Sequence, residues 1–290
     1  MKKKIKYILL LLCLTTILSG CSIFKRDTME NINIITTTYA NEYVLDYLYG
    51  DNAIINSIYP DDTNIDTYTF TEKQIRDNSK KDLFVYMGKT KDSEIAITYL
   101  NKNKDIKLID ATFGMEYNHG EEELWMNTSN LLMIAQNIKN GLCEYITSSY
   151  LIKEIETNYQ DLKIELSELD AEIRLSFENA ERNVIFTNNP SLKFLEKYGL
   201  SIIVVNKDDS QYDKNLTLLN NYILNKKISY FYALENTDIP NDVQKLIDDK
   251  NIELITLRNL KNIKDAERNN NVNYIEISKN NLNLLKKELY

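Results

Sequence analysis

The sequence predicts an α/β protein of two lobes with mainly parallel sheets joined by one long rigid helix, and three observations carry that prediction. From Ile32 onward, short runs rich in Ile, Val, Leu and Tyr alternate with helical stretches, the pattern of layered βα units. One central segment then breaks the alternation: Leu151, Ile155, Tyr159, Leu162, Leu166, Leu169, Ile173 and Phe177 fall three or four residues apart, with no Gly or Pro between them. After that segment the alternation restarts, so the helix has a lobe on either side.

Taken in order, INIITTT (32–38) reads as a strand, NEYVLDYLYG (41–50) as a helix closed by Gly50, and AIINSIYP (53–60) as a second strand. TEKQIRDNSKK reads as a helix feeding the strand DLFVYMG (82–88); DIKLIDAT (105–112) is a fourth strand, and a helix follows from about Ser129 to Tyr145. The central helix, Leu151 to Ala180, measures about 45 Å at 1.5 Å per residue. Its spacing also fits four heptads, so coiled-coil dimerisation is the competing reading; the return of α/β elements on both sides argues for a single chain. Beyond it come strands at 183–189, 201–206, 228–234 and 252–257, separated by helices at LKFLEKYG, NLTLLNNYILNKK and NDVQKLIDDK, and a closing helix ISKNNLNLLKKEL.

The N-terminus reads as an export signal: lysines at 2, 3, 4 and 6, an apolar run to Leu18, and small residues before a cysteine. The apolar run is shorter than the roughly 20 residues that span a bilayer. Leu18-Ser19-Gly20-Cys21 resembles the bacterial lipobox, which implies cleavage before Cys21, acylation of its thiol and anchoring at the outer face of the cytoplasmic membrane; an ordinary signal peptide is the alternative. The expected organisation is a signal at 1–20, a tether at 21–31, a first lobe at 32–150, the linking helix at 151–181 and a second lobe at 182–290. Loss of residues 1–20 leaves 31 basic against 43 acidic residues, a charge near −12 that argues against nucleic acid as a partner. The exported chain keeps one thiol, Cys143, so it has no internal disulfide and no cysteine-based zinc site. A monomer is expected.

Several phrases, in order, resemble the zinc- and manganese-binding solute receptors of ABC importers. KKDLFVYMG is similar to that family's ADLFVYNG, FTNNPSLKFLEKYGL to TSHAAFGYLAKRYGL, and ALENTDIP to FEENTSP, and the resemblance runs from about residue 32 to 289. It implies a lipid-anchored receptor that captures one divalent metal ion between its lobes and hands it to an ABC permease, not an enzyme. Matched position by position, the family's histidine ligands fall on Asp66, Glu123 and Asn188, while the fourth, acidic ligand falls near LRNL, where the chain has Arg258 and Asn259. Every expected histidine is absent.

Oxygen donors of this kind suit a hard cation better than zinc, which favours nitrogen and sulfur. Arg258 could instead supply the positive charge itself by pairing with Asp66 or Glu123. The sole histidine, His119, lies in the acidic loop YNHGEEE, where it is either a loose loop ligand or a solvated side chain, and the glutamates read as a solvated surface. Tyr39, Tyr43, Tyr68 and Tyr117 could line a site for an organic ligand, although the favoured account is compositional, tyrosine being abundant together with Asn, Ile and Lys as an AT-rich coding sequence gives. No nucleophile elbow, P-loop or dinucleotide fingerprint is present, which leaves Asp66 facing Glu123 as the one enzymatic arrangement. The alternatives to metal transport are therefore an accessory lipoprotein that no longer binds metal and a receptor for another small ligand.

Overall fold

The computed structural model describes residues 28–290, so the export signal and the Cys21 anchor lie outside the described residues. The first lobe is built from β1 (Ile32–Thr36), α1 (Tyr39–Tyr49), β2 (Ala53–Ser57), α2 (Glu72–Asn78), β3 (Leu83–Tyr86), α3 (Asp92–Lys102) and β4 (Lys107–Asp110). Its strands pair in parallel in the order β2-β1-β3-β4. α4 (Glu123–Met126) and α5 (Thr128–Tyr145) lead into the long helix α6 (Ser149–Glu178). The second lobe repeats the plan: β5 (Val184–Thr187), a 3-10 helix (Pro190–Tyr198), β6 (Ser201–Val204), α7 (Tyr212–Leu224), β7 (Tyr230–Leu234), α8 (Asn241–Lys250) and β8 (Glu253–Leu257), with strand order β6-β5-β7-β8. α9 (Asp265–Asn269) and α10 (Tyr274–Leu289) close the chain. The chain is thus the two-lobe α/β protein with a linking helix that the sequence predicts.

Both sheets are covered on two faces, as parallel sheets require. In the first, Ile34, Leu83 and Val85 point into the core shared with the long helix, while Ile35 and Phe84 point into a separate outer cluster. In the second, Ile185, Tyr232 and Leu234 join the shared core, and Phe186 and Phe231 an outer one. The alternation along each strand therefore divides a small outer core from a large inner one that runs through both lobes.

The stripe on α6 explains that continuity. All eight apolar residues expected at helical spacing are buried, and Ser148 caps the helix by accepting the Leu151 amide at 3.4 Å. The stripe packs on α1, α5, the 3-10 helix and α10 of the same chain, so it forms the spine of both lobes. Cys143 is half-buried at the edge of this core.

The differences from the sequence reading have local causes. INIITTT is a strand only to Thr36, because Thr38 turns out to cap α1, its hydroxyl accepting the Asn41 amide at 3.3 Å. Helix α3 leaves no clear periodicity in the sequence because, of its residues, only Asp92, Ala96 and Tyr99 are buried. The helices α4 and α9 are too short for periodicity to register. The segment expected as an α-helix around LKFLEKYG is a 3-10 helix ended by Gly199 at φ 93°.

Candidate functional site

In each sheet the strand order reverses between the first and third strands, which places a crevice at the carboxyl ends of β1 and β3 and of β5 and β7. The loop that leaves β8 runs from the second lobe into the crevice of the first. Leu260 takes a left-handed backbone (φ 59°), unusual for a residue with a side chain, and turns the chain between Asn259 and Lys261. From there the loop is joined to the first lobe by backbone bonds: the Lys261 carbonyl accepts the Tyr39 amide at 2.9 Å, and the Ile263 carbonyl accepts the Asp62 amide at 3.0 Å. Asn262 Nδ2 donates to the Pro60 and Thr63 carbonyls, both at 2.9 Å. Arg268 adds ion pairs to Glu42 and Asp61.

Trp125 is the apolar wedge of this junction. It is fully buried, its indole nitrogen donates to the Asn259 carbonyl at 2.7 Å, and its own carbonyl accepts the Tyr274 hydroxyl. The loop before it can reach the second lobe because residue 120 is glycine: a Cβ there would lie 2.0 Å from Ser191 Oγ, which donates to Glu122 at 2.6 Å.

Beside Trp125 lies an ion pair shared by three residues. Lys261 Nζ donates to Asp66 Oδ1 at 2.5 Å and to Glu121, and lies 5.9 Å from the centre of the Trp125 ring. Its side chain is 8% exposed, whereas those of Asp66 and Glu121 are 47% and 28% exposed, so the cation is enclosed and its counter-charges reach solvent. Burial alone would lower the Lys261 pKa; Glu121 and Asp66 outweigh it and hold the ammonium above its ordinary value. Asp92, buried and bonded to the Met87 amide at 3.4 Å, is another acidic group whose field acts with Glu121 and Lys261, and burial pushes its carboxyl up. The space left alongside is a cavity of about 50 Å³ bordered by Asp66, Glu235, Arg258, Asn259 and Lys261. It admits a water or an ion, not an organic solute.

The residues singled out in the sequence are only partly brought together. Asp66 is in the cleft. Glu123 opens α4 and its carboxylate accepts the Asn118 amide at 3.2 Å; the carboxylate that shares Lys261 with Asp66 is Glu121, two residues earlier. Asn188, 2% exposed at the end of β5, donates through Nδ2 to Thr237 Oγ1 at 2.9 Å and to the Asp238 carbonyl at 3.0 Å, while its Oδ1 is buried without a hydrogen-bond partner among the described residues. His119 is exposed. The expected pairing of Arg258 with Asp66 or Glu123 is corrected: Arg258 binds Glu267 through Nε (2.8 Å) and Nη2 (2.7 Å) and pairs with Glu235, all within its own lobe. The tyrosines are engaged in packing rather than in a ligand site: Tyr43 stacks on Tyr274 and donates to Glu165, Tyr39 donates to the Val272 carbonyl, and Tyr68 packs on Tyr59 and Phe70. Tyr117 is exposed.

Lys261 is absent from the sequence reading, and Glu121 entered it only within a glutamate run expected to be a solvated surface, which the structure corrects. Lys261 follows LRNL by one residue, and Glu121 is hidden in a run of three glutamates whose members go separate ways: to Lys261, to Ser191 and to the Asn118 amide.

A family model for the zinc-uptake complex component A, periplasmic (ZnuA), matches residues 34–288. The chain belongs to the ZnuA family. Members of this family are solute-binding receptors rather than enzymes. Comparison with curated proteins gives no match. Among solved structures, the chain is similar to the metal-dependent lipoprotein YcdH from Bacillus subtilis at 19% identity and a TM-score of 0.74, over 89% of this chain and 99% of that one. It is similar to the Zn(II)-bound ZnuA-like domain of Streptococcus pneumoniae AdcA at 21% identity and 0.73, over 89% and 99%. The laminin-binding protein Lbp of Streptococcus pyogenes matches at 15% identity and 0.71, over 90% and 100%. These likenesses establish the shared fold. Within that ZnuA fold the described residues hold no group of three or more His, Cys, Asp or Glu side chains able to hold a metal ion. The cleft has oxygen donors with an ammonium between them, a poor fit to zinc.

Proposed function

We propose that this chain is an exported receptor lipoprotein, held at the outer face of the cytoplasmic membrane by acylated Cys21, that works beside an ABC permease as an accessory member of its family and carries no zinc. Family membership across residues 34–288 supports the receptor role, and the lysine-rich start with Leu18-Ser19-Gly20-Cys21 supports export and anchoring. The observation that carries the loss of zinc is the enclosed Lys261 ammonium shared by Asp66 and Glu121. A cation tethered there repels a second one, and among the described residues no imidazole or thiolate joins Asp66 and Glu121 to offset that repulsion.

Elemental analysis of the full chain as purified, with calorimetric titration of Zn²⁺ and Mn²⁺ into the metal-stripped chain, tests this reading. The expected result is no stoichiometric ion. One tightly held ion per chain, lost in an Asp66→Ala/Glu121→Ala variant, would restore metal capture and delivery to a permease as the function. That second reading is favoured by one feature, the buried and unpartnered Oδ1 of Asn188 at the position matched to a ligand. In cells, Cys21→Ser should release the protein from the membrane fraction.

A further inference from the structure

We propose that Lys261 is the residue that determines what the cleft accepts: its ammonium is the cleft's own cation, ties the second lobe to the first, and keeps free divalent ions out. The inference deepens the reading of a receptor that carries no zinc and rests on it.

The geometry supports a specific replacement rather than an incidental surface pair. Asp66 comes from the loop after β2, Glu121 from the loop before α4, and Lys261 from the loop after β8, so three separate loops meet at one nitrogen. The stem of Lys261 is buried near the Trp125 ring, which fixes the ammonium rather than leaving it to sweep through solvent. The left-handed backbone at Leu260 is a local strain retained just before the lysine, where it aims the residue across the cleft. Charge then decides specificity. With Lys261 in place, two carboxylates face one enclosed positive charge, and a divalent ion would have to displace it. Without Lys261, Asp66 and Glu121 lose the cation that both of them bind. The half-exposed Lys91, 3.6 Å from Asp66, becomes the remaining counter-charge. Two carboxylates plus waters are a donor set that Mn²⁺ and Ca²⁺ accept, whereas zinc prefers nitrogen and sulfur.

The test titrates Mn²⁺ into the full chain, comparing wild type with Lys261→Ala, and repeats it on a Lys261→Ala/Glu121→Gln variant. The expected result is one saturable Mn²⁺ site in Lys261→Ala, at least tenfold tighter than any binding by wild type and lost again with Glu121→Gln. Binding in Lys261→Ala no tighter than in wild type, with the variant shown to be folded, overturns the proposal. If Lys261→Ala does not fold, Lys261→Met keeps the buried stem and removes only the charge. Mn²⁺ should then raise its melting temperature while leaving that of wild type unchanged, and an equal response in both overturns the proposal. The two readings fail separately. Tight metal binding by wild type sinks the accessory reading, and Lys261 keeps its assigned role only if its removal still tightens binding tenfold. A silent wild type with an equally silent Lys261→Ala sinks the role of Lys261 alone.

Discussion

Two cations leave the same turn three residues apart and end in different lobes. Arg258 spends its planar fork inside the second lobe, with two parallel bonds to Glu267, a pair to Glu235 and a third acceptor in the Asn262 carbonyl at 2.9 Å. Burial would raise the Glu267 carboxyl, but Arg258 and the Lys264 amide hold it below its ordinary range. Lys261 carries a compact charge on a long stem and crosses to Asp66 and Glu121. The difference follows from side-chain shape: a guanidinium saturates a rigid local constellation, and an ammonium can be delivered to a distant pair. The lesson is that positive charge at this turn does two jobs, bracing one lobe and joining two.

Trp125→Ala should break both, because the ring lies near Lys261 and its indole holds the Asn259 carbonyl between the two cations. A loss of about 3–5 kcal/mol in chemical denaturation is expected for removing so large a buried side chain. A loss below about 1 kcal/mol would show that Trp125 is not the wedge of the junction.

A narrower pair of substitutions separates the two cations. Arg258→Met leaves Glu235 and Glu267, whose side chains are 16% and 18% exposed, with only the Lys264 ammonium and the Lys264 amide as partners, and should cost about 2–4 kcal/mol. Lys261→Met should cost only about 1 kcal/mol, because Asp66 is half-exposed and screened by water. The order reverses in hydrogen exchange at the interlobe amides of Tyr39 and Asp62. Exchange there should quicken in Lys261→Met and stay near wild type in Arg258→Met under native conditions. Equal quickening in both would mean that the turn acts as one unit.

The smallest effect concerns the long helix itself. Asp170 on α6 accepts Thr128 Oγ1 at 2.6 Å, Lys197 Nζ at 3.3 Å and the Tyr198 hydroxyl, so it joins both lobes to the spine. Burial would raise its carboxyl, but these donors outweigh that and hold it below the usual value. A depressed folded pKa means that its contribution is complete above the unfolded value near 4 and is lost as pH falls through the folded one. Asp170→Asn should therefore lower stability by about 1 kcal/mol at pH 7, with the difference shrinking below about pH 4. A difference independent of pH would assign Asp170 to packing alone.

The fold was legible because its signals are local. Apolar spacing on α6 and alternation along the strands depend on residues a few positions apart, and the two lobes follow from where those periods change. The cleft was legible at Asp66 and at Arg258 and Asn259, which border its cavity, but not at the ion pair that fills it. Asp66, Glu121 and Lys261 are separated by 55 to 195 residues in the chain, and nothing in a run of glutamates or in LRNLKN marks one member as the partner of another. Position-by-position resemblance pointed to Glu123, but the turn of chain into α4 directs that carboxylate to the Asn118 amide and presents Glu121 instead.

By itself, then, the sequence determined the two-lobe α/β plan, the length of the linking helix, the absence of histidines at the matched positions and the likeness to a receptor family. Each is a property of composition or of spacing along one stretch of chain. Only the tertiary structure decided which cation stands between the lobes, because that choice depends on the reach of a lysine stem, the surface of a buried tryptophan and the meeting of three loops at a single nitrogen.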